Sequence, residues 1–342
     1  MIQVDPLEIE IGYNLISLTD ESQQGDLLER LAAVRRQCAK EMGIYVKPIR
    51  IRDNLQLEPN SYRFKMRGIE ITGGEILPGY YLAMNPGDQD VNIEGIATKE
   101  PTFGLAAWWI SEANREKAEL SGFTVVDAST VMITHLTEFI KSHGYELLGR
   151  QEVKELLDLV RDSNPAVVEG LVPETLSLGE VQKVLQNLLK ERIPIRDLVT
   201  IFEALANKGS VVKDLDFLTE SVRGSLARHI SKTYAPEGKL IVVTLDPSLE
   251  ESIAKSLQHT AEGHYPVLSP NVVQHIFDQL EKYVQDFSLL GLQPVVVCSS
   301  RIRMAFRRLI ERFMPALVVL SLNELVPELE VEAIGMVKDH EI

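Results

Sequence analysis

The chain has 342 residues, of which 45% are hydrophobic and 25% are charged. A chain of this size can form two to four compact domains, and its composition is that of a globular protein rather than a disordered or fibrous one. Its 50 acidic residues outnumber its 35 basic residues, which gives a formal net charge of −15. That charge repels phosphate backbones and anionic lipid, so we expect no nucleic-acid partner.

The residue pattern predicts no membrane span, signal peptide, metal site or cofactor. The longest apolar runs, 240–245 and 316–322, are much shorter than the roughly 18 uncharged residues that cross a bilayer. Residues 1–5 lack the basic and apolar regions of a signal peptide. Cys38 and Cys298 lie far apart and the seven histidines are scattered, so we expect two buried thiols and no structural zinc.

The opening region has the pattern of an α+β fold. Leu7, Ile9 and Ile11 alternate with polar residues, which is typical of a strand with one solvated face. Residues 27–42 repeat apolar side chains at helical spacing up to Gly43, a natural helix end. Three more alternating segments predict strands, at 48–53, 62–67 and 69–72.

Residues 82–104 are rich in proline, glycine, asparagine and aspartate, which predicts a short strand followed by a long loop. A helix is expected over 105–120, with one of its two tryptophans packed inward. A strand over 123–126 and a further helix, capped by Asp127 or Ser129, complete this region.

After Gly149 the pattern changes to almost pure helix. Apolar stripes and a capping box at 177–180 predict several helices, the last over 215–233. The final third then alternates continuous apolar strands with helices, which predicts a parallel α/β domain with right-handed crossovers. Its strands are expected at 240–245, 294–298 and 317–320.

The motifs of common enzyme sites do not occur in the sequence. There is no phosphate-binding loop, Rossmann glycine pattern, Gly-x-Ser-x-Gly elbow or His-Glu-x-x-His. Cys298 is a near miss, since it precedes a helix start, a position that lowers the pKa of a thiol. A cysteine phosphatase would need arginine where this chain has Met304. We predict no catalytic residue, with a Cys298-dependent phosphatase or sulfurtransferase as the alternative.

Two surface features leave alternatives open. A basic helix carrying Arg301, Arg303, Arg307, Arg308 and Arg312 faces an acidic partner or subunit, or is a solvated face whose arginine stems cover apolar neighbours. An apolar loop framed by acidic residues is a docking site for a partner helix, or a hydrophobic seam between domains. The apolar residues in and around that loop are Met84, Pro86, Pro101, Phe103 and Leu105.

Several segments in the same order along the chain carry a family resemblance. They read IRIRDN at 49–54, GYYLAMNPG at 79–87, PTFGL at 101–105, GFTVVDASTV at 122–131, THL at 134–136, GRQE at 149–152, VLQNLL at 184–189 and IPIRD at 193–197. With these motifs the chain resembles the C-terminal cytoplasmic region of the FlhA family, the large export-gate component of bacterial type III secretion. The GFTVV and THL segments are similar to the flagellar branch of that family.

The resemblance implies a cytoplasmic domain of an inner-membrane protein whose membrane-spanning N-terminal half is absent from this chain, and a ring of nine copies. It also implies an α+β first subdomain with a small α/β subdomain inserted into it, an all-helical third subdomain and an α/β fourth with a mainly parallel sheet. The implied bounds are 6–78 with 128–147, 79–127, 148–232 and 233–342.

The resemblance further implies a docking platform without enzymatic activity, which binds export chaperones with their substrates, contacts other export components and orders export. Chaperones would dock at a dimple between the first two subdomains, with Phe103 against an apolar side chain and with Glu100 and Thr134 fixing the register. The alternative is a purely structural ring subunit, in which Phe103 would be buried. The implied binding residues are Met84, Pro86, Glu100, Phe103, Leu105, Val126 and Thr134.

Overall fold

The computed structural model describes residues 4–85, 87 and 93–339, and the chain divides into two compact units. The first unit comprises Met1–Glu152 with Leu189–Arg196, and the second comprises Val153–Leu188 with Asp197–Ile342. Among the described helices, none combines the length and apolar character needed to cross a membrane. The division of the chain into four subdomains stays a prediction.

The first sheet of the first unit is built from strands whose alternation was visible in the sequence. These strands are β1 (Leu7–Ile11), β2 (Arg50–Asp53), β3 (Ser61–Met66) and β4 (Ile69–Glu75), and α1 (Leu27–Met42) lies between the first two in sequence. The strand order is β2-β1-β3-β4, with β1 and β2 parallel and the other neighbours antiparallel. Ile9 lies opposite Phe64 and both are buried, because paired residues point to the same face.

The second sheet is antiparallel and has the strand order β6-β7-β5-β8. Its strands are β5 (Tyr81–Met84), β6 (Ile96–Lys99), β7 (Ala106–Ile110) and β8 (Thr124–Asp127), and its helices are α2 (Glu112–Leu120) and α3 (Ala128–Leu147). Asp127 caps α3, because its carboxylate accepts from the Thr130 amide at 2.7 Å. This confirms one of the two caps expected from the sequence.

The prediction of one helix over 105–120 is wrong, because the first part of that segment is strand β7. Aromatic and β-branched side chains pack well on a pleated sheet, and this strand contains two tryptophans and an isoleucine. Alternation points the tryptophans to opposite faces. Trp109 is buried, while Trp108 packs against Phe123 with ring centroids 6.0 Å apart. The predicted long loop over 82–104 likewise contains strand β6.

The middle of the chain is helical, as the sequence predicted. Its helices are α4 (Arg150–Ser163), α5 (Pro165–Val168), α6 (Leu178–Lys190), α7 (Leu198–Gly209), α8 (Leu215–Ser225) and α9 (Ala227–Tyr234). The capping box is present, with the Ser177 amide donating to Glu180 and the Glu180 amide donating to the Ser177 hydroxyl. The single helix predicted over 215–233 is wrong, since it is interrupted at Leu226 after a Gly-Ser pair that disfavours helix.

The last part of the chain forms an all-parallel sheet with helices and one hairpin. The strands are β9 (Lys239–Leu245), β10 (Leu257–Thr260), β11 (Gly263–Pro266), β12 (Val295–Cys298), β13 (Val318–Ser321) and β14 (Glu330–Val337), and the helices are α10 (Pro247–Ser256), α11 (Pro270–Leu289) and α12 (Arg303–Ile310). The parallel sheet has the order β13-β12-β9-β14. The three predicted strands are present; β14 and the β10–β11 hairpin were not predicted.

Candidate functional site

The turn between β6 and β7 is held by one buried carboxylate. Glu100 is 5% exposed, and its two side-chain oxygens accept from the amides of Thr102 at 2.6 Å and Phe103 at 2.8 Å. Its own amide donates to the Leu105 carbonyl at 2.8 Å, and the Gly104 amide donates to the Glu100 carbonyl at 2.9 Å. Gly104 has φ of +72°, a conformation that glycine adopts without strain. These bonds fix the backbone on both sides of Phe103.

Two apolar side chains project from this fixed turn into solvent. Phe103 is 66% exposed and Leu105 is 50% exposed. Because the backbone amide of Phe103 is already bonded, the backbone of this turn needs little further ordering when the ring meets a partner. The exposure of Phe103 argues against the alternative in which the loop only packs subdomains together.

Met84 and Val126 lie on one face of the second sheet. Met84 ends β5 opposite Thr124, and Val126 lies opposite Leu82, two residues earlier in the same strand. Because paired residues and residues two apart share a face, Met84 and Val126 point to the same side, and both are half-buried. Pro86, predicted to be part of the same surface, lies outside the described residues.

Thr134 is exposed on α3, next to a buried polar pair. The Tyr62 hydroxyl lies 2.7 Å from Nδ1 of His135. Burial raises the pKa of Tyr62 and lowers the pKa of His135, and the negative charge of Glu100 acts on both groups. Because a charge shifts the pKa only of nearby groups, Glu100 lies near His135 and therefore near the part of α3 that carries Thr134.

One predicted role changes in the structure. Glu100 was expected to bind a partner directly and so fix its register. Both carboxylate oxygens are instead used inside the turn and the side chain is buried, so Glu100 positions Phe103. Sequence reasoning also missed the packing that supports the turn. A Cβ on Gly74 would lie 3.1 Å from Cβ of Pro101, and the Gly73-Gly74 pair in β4 was the available signal.

Cys298 does not have the environment of a nucleophile. It is 2% exposed, and burial raises the pKa of its thiol well above the ordinary value. Burial also raises the pKa of Cys38 to about 11. Both cysteines are buried thiols, as predicted, and the geometry does not support a Cys298-dependent enzyme.

Neither interpretation of the basic helix describes all five of its arginines. Arg303 is fully buried and binds Glu220 through Nε and Nη2 at 2.7–2.9 Å. Arg308 binds Asp216, while Arg307 donates to the carbonyls of Leu317 and Pro315. These three arginines bond within the second unit, whereas Arg301 and Arg312 are exposed.

The expectation that the histidines are scattered is wrong for one pair. His259 and His264 face each other across the β10–β11 hairpin, with Nδ1 and Nε2 3.0 Å apart. Together with Asp214 they form a group that could hold a metal ion. Sequence spacing did not show this, because the pairing depends on where the hairpin turns.

Sequence comparison identifies relatives along nearly the whole chain. A family model described as the FHIPEP family matches residues 1–330. The flagellar biosynthesis protein FlhA of Bacillus subtilis (strain 168) is 46% identical over 338 residues, covering 98% of this chain and 50% of that protein. FlhA of Escherichia coli (strain K12) is 41% identical over 322 residues, covering 94% and 46%. The chain spans about half the length of the curated relatives it matches.

Solved structures share the fold. The Chlamydia pneumoniae CdsV protein is similar with a TM-score of 0.88 and 26% identity, covering 98% of this chain and 99% of that one. The nonameric EPEC SctV-C structure has a TM-score of 0.80 at 24% identity over 98% and 99%, which shows the fold alone. These matches confirm the resemblance found in the sequence. By sequence and by fold, the chain belongs to the FHIPEP family.

Proposed function

We propose that this chain is the cytoplasmic docking platform of a flagellar type III export gate, anchored by the part of a longer membrane protein that this chain does not include. It binds export chaperones with their substrates at the Phe103 surface and thereby orders export. The Phe103 surface consists of Met84, Glu100, Phe103, Leu105, Val126 and Thr134, with Pro86 added by the resemblance. The observation that carries the proposal is the 66% exposure of Phe103 on a turn held by a buried carboxylate.

The chemistry of this surface fits an amphipathic helix. Phe103 and Leu105 offer apolar area, the half-buried Met84 adapts its shape, and the exposed Thr134 hydroxyl supplies a hydrogen-bonding group. The partner side chain that covers Phe103 would be the centre of the interface, where binding energy concentrates. Glu100 acts by holding the turn, so its contribution is pre-organisation rather than contact.

The test is titration of the chain with a flagellar chaperone–substrate complex. Replacing Phe103 by alanine should weaken binding about thirtyfold, the equivalent of about 2 kcal/mol for a central aromatic. Phe313→Ala is the matched control, because Phe313 is 69% exposed and lies in the second unit. Equal affinities of Phe103→Ala and the unmodified chain would rule out the Phe103 surface.

A ring is the second part of the proposed function. The solved SctV-C relative is described as nonameric, and CdsV has been solved together with CdsO at 26% identity and a TM-score of 0.85 to this chain. We infer that nine copies of the present chain assemble below a membrane gate and contact further export components, with four subdomains in each copy. Mass measurement of the whole protein in detergent tests the copy number, and a monomer there would contradict the ring.

A further inference from the structure

Two histidines of the second unit are held at nearly the separation that a shared metal ion imposes. His259 on β10 lies directly opposite His264 on β11. Nδ1 of His259 and Nε2 of His264 are 3.0 Å apart, and the ring centroids are 4.5 Å apart. Two imidazole nitrogens on one tetrahedral zinc, each about 2.0–2.1 Å from the ion, would be about 3.3 Å apart. An ion would therefore need only a small adjustment of these two rings.

A third ligand atom is available from the start of α8. Oδ1 of Asp214 caps this helix by accepting from the Phe217 amide at 2.8 Å. The other oxygen, Oδ2, lies 3.7 Å from Nδ1 of His264. One nitrogen from each imidazole and one oxygen of Asp214 lie within 4.8 Å of one another. The cap thus uses one carboxylate oxygen, and the other lies near the imidazole of His264.

A second carboxylate orients the imidazole of His264. Nδ1 of His264 lies 3.2 Å from Oδ2 of Asp216, which also accepts from the His264 amide at 2.8 Å. Arg308 donates to both oxygens of Asp216, at 2.5 and 2.8 Å, and so fixes that carboxylate. A proton on Nδ1 leaves the lone pair of His264 on Nε2, the nitrogen that faces His259. Metal-binding histidines in proteins usually donate the N–H of their other ring nitrogen to a carboxylate, a backbone carbonyl or a water molecule.

The group is open to solvent on one side. Asp214 and His259 border a cavity of about 400 Å³ whose lining also includes Lys183, Thr260 and Glu262. His259 is exposed, while His264 and Asp214 are half-buried. The neighbouring ammonium of Lys213 donates to the Thr175 carbonyl rather than to Asp214. An ion can therefore enter from the cavity and keep one coordination position open towards it.

We propose that His259, His264 and Asp214 bind one divalent transition-metal ion of the zinc type, with a water molecule in the fourth position. Two imidazole nitrogens, one carboxylate oxygen and water are a donor set that suits zinc. The ion would join the β10–β11 hairpin to the N-terminus of α8. This site lies in the second unit, so the proposal is independent of the Phe103 surface in the first.

Zinc titration of the untagged chain tests this site. We expect one ion per chain, with an affinity at least about 100-fold lower in His259→Ala and in His264→Ala, since each removes a ligand. Asp214→Asn keeps an amide oxygen that can cap α8 but removes the carboxylate, and should weaken zinc about tenfold or more. His229→Ala is the matched control, because His229 is exposed on α9, and should bind as the unmodified chain does.

Absence of stoichiometric zinc binding, or equal affinity in the two hairpin variants and His229→Ala, would overturn the proposal. Thermal unfolding supplies a second measurement. Zinc should raise the unfolding temperature of the unmodified chain and of His229→Ala, because an ion that binds only the folded state stabilises it. It should leave the unfolding temperature of His259→Ala unchanged. A cobalt-loaded chain should show the intense visible absorption of a tetrahedral site, and its absence would count against the proposed geometry.

Discussion

At the scale of single residues, the candidate site depends on what Glu100 does for Phe103. The exposed ring is carried on a fixed backbone because the Glu100 carboxylate accepts from the amides of Thr102 and Phe103. Charge-assisted hydrogen bonds of this kind are about twice as strong as neutral ones. Glutamate has one more methylene than aspartate, and in this turn the longer side chain reaches both amides.

Gly74 is a second residue on which the turn depends, because any side chain there meets the packing beneath it. A Cβ at this position would lie 2.6 Å from the hydroxyl oxygen of Tyr62 and 3.1 Å from Cβ of Pro101. We expect Gly74→Ala to lower the free energy of unfolding of the first unit by about 1–3 kcal/mol, as overpacking usually does. Denaturation followed by tryptophan fluorescence measures this, since both tryptophans of the chain lie in the first unit.

The matched control is Gly87→Ala, because among the described residues no atom beyond the chain neighbours lies within 4 Å of a Cβ at Gly87. This variant should unfold as the unmodified chain does. If Gly74→Ala were as stable as Gly87→Ala, the strand and the turn would not be packed as closely as the structure has them.

The residue scale also shows what could be predicted from the sequence. The resemblance pointed to Phe103 and Thr134, and both are exposed. It could not assign Glu100 its positioning role, because that role depends on which backbone amides face the carboxylate. Hydrogen bonds of a tight turn follow from its dihedral angles, and the residue types alone leave several turns open.

At the scale of elements, prediction succeeded where the periodic pattern of apolar residues extends over a long segment and failed where the segment is short. The four strands of the first sheet and the helices after residue 149 have clear periods, and the structure has them, apart from the interruption at Leu226. Ala106–Ile110 is only five residues long and is apolar throughout, so a strand and a helix start look alike there. In β14, which is an edge strand, Glu330 and Glu332 occupy exposed positions at the start, so the segment does not show the continuous apolar run of a buried strand.

Helix α3 and strand β3 are joined by the His135–Tyr62 hydrogen bond, which makes the first unit sensitive to acid. Burial lowers the pKa of His135 below 6.5, so the unfolded chain binds more protons between the folded pKa and 6.5. Stability contributed by neutral His135 is therefore present above about pH 6.5 and is lost as the pH falls below it. We expect the free energy of unfolding to drop on acidification from about pH 7 to about pH 5.

His135→Gln tests this assignment, because glutamine can still bond to the Tyr62 hydroxyl but does not titrate. The variant should show a smaller loss of stability over the same pH range, measured by tryptophan fluorescence during denaturation. An identical pH dependence in both proteins would mean that other groups in the first unit cause the acid sensitivity.

At the scale of the whole molecule, contacts between distant segments were the least predictable part. Arg303 and Glu220 are 83 residues apart in sequence and Arg223 and Glu324 are 101 apart, yet each pair forms a buried ion pair within the second unit. The sequence showed a row of arginines, which is typical of a solvated helix face. Only the packing of α12 against α8 and the segment after β13 turns these side chains inward.

This buried charge network should dominate the stability of the second unit. Arg303→Met removes the cation but leaves Glu220 in the interior, and breaking a buried pair in this way costs about 3–5 kcal/mol. Adding Glu220→Gln removes the uncompensated charge, so the double variant should recover part of that loss. Arg301→Met is the control, because Arg301 pairs with Glu251 at the surface at 3.3 Å, and pairs of this kind contribute at most about 1 kcal/mol. Urea denaturation followed by far-ultraviolet circular dichroism compares the three variants, and equal stability of Arg303→Met and Arg301→Met would show that the buried pair does not hold the second unit together.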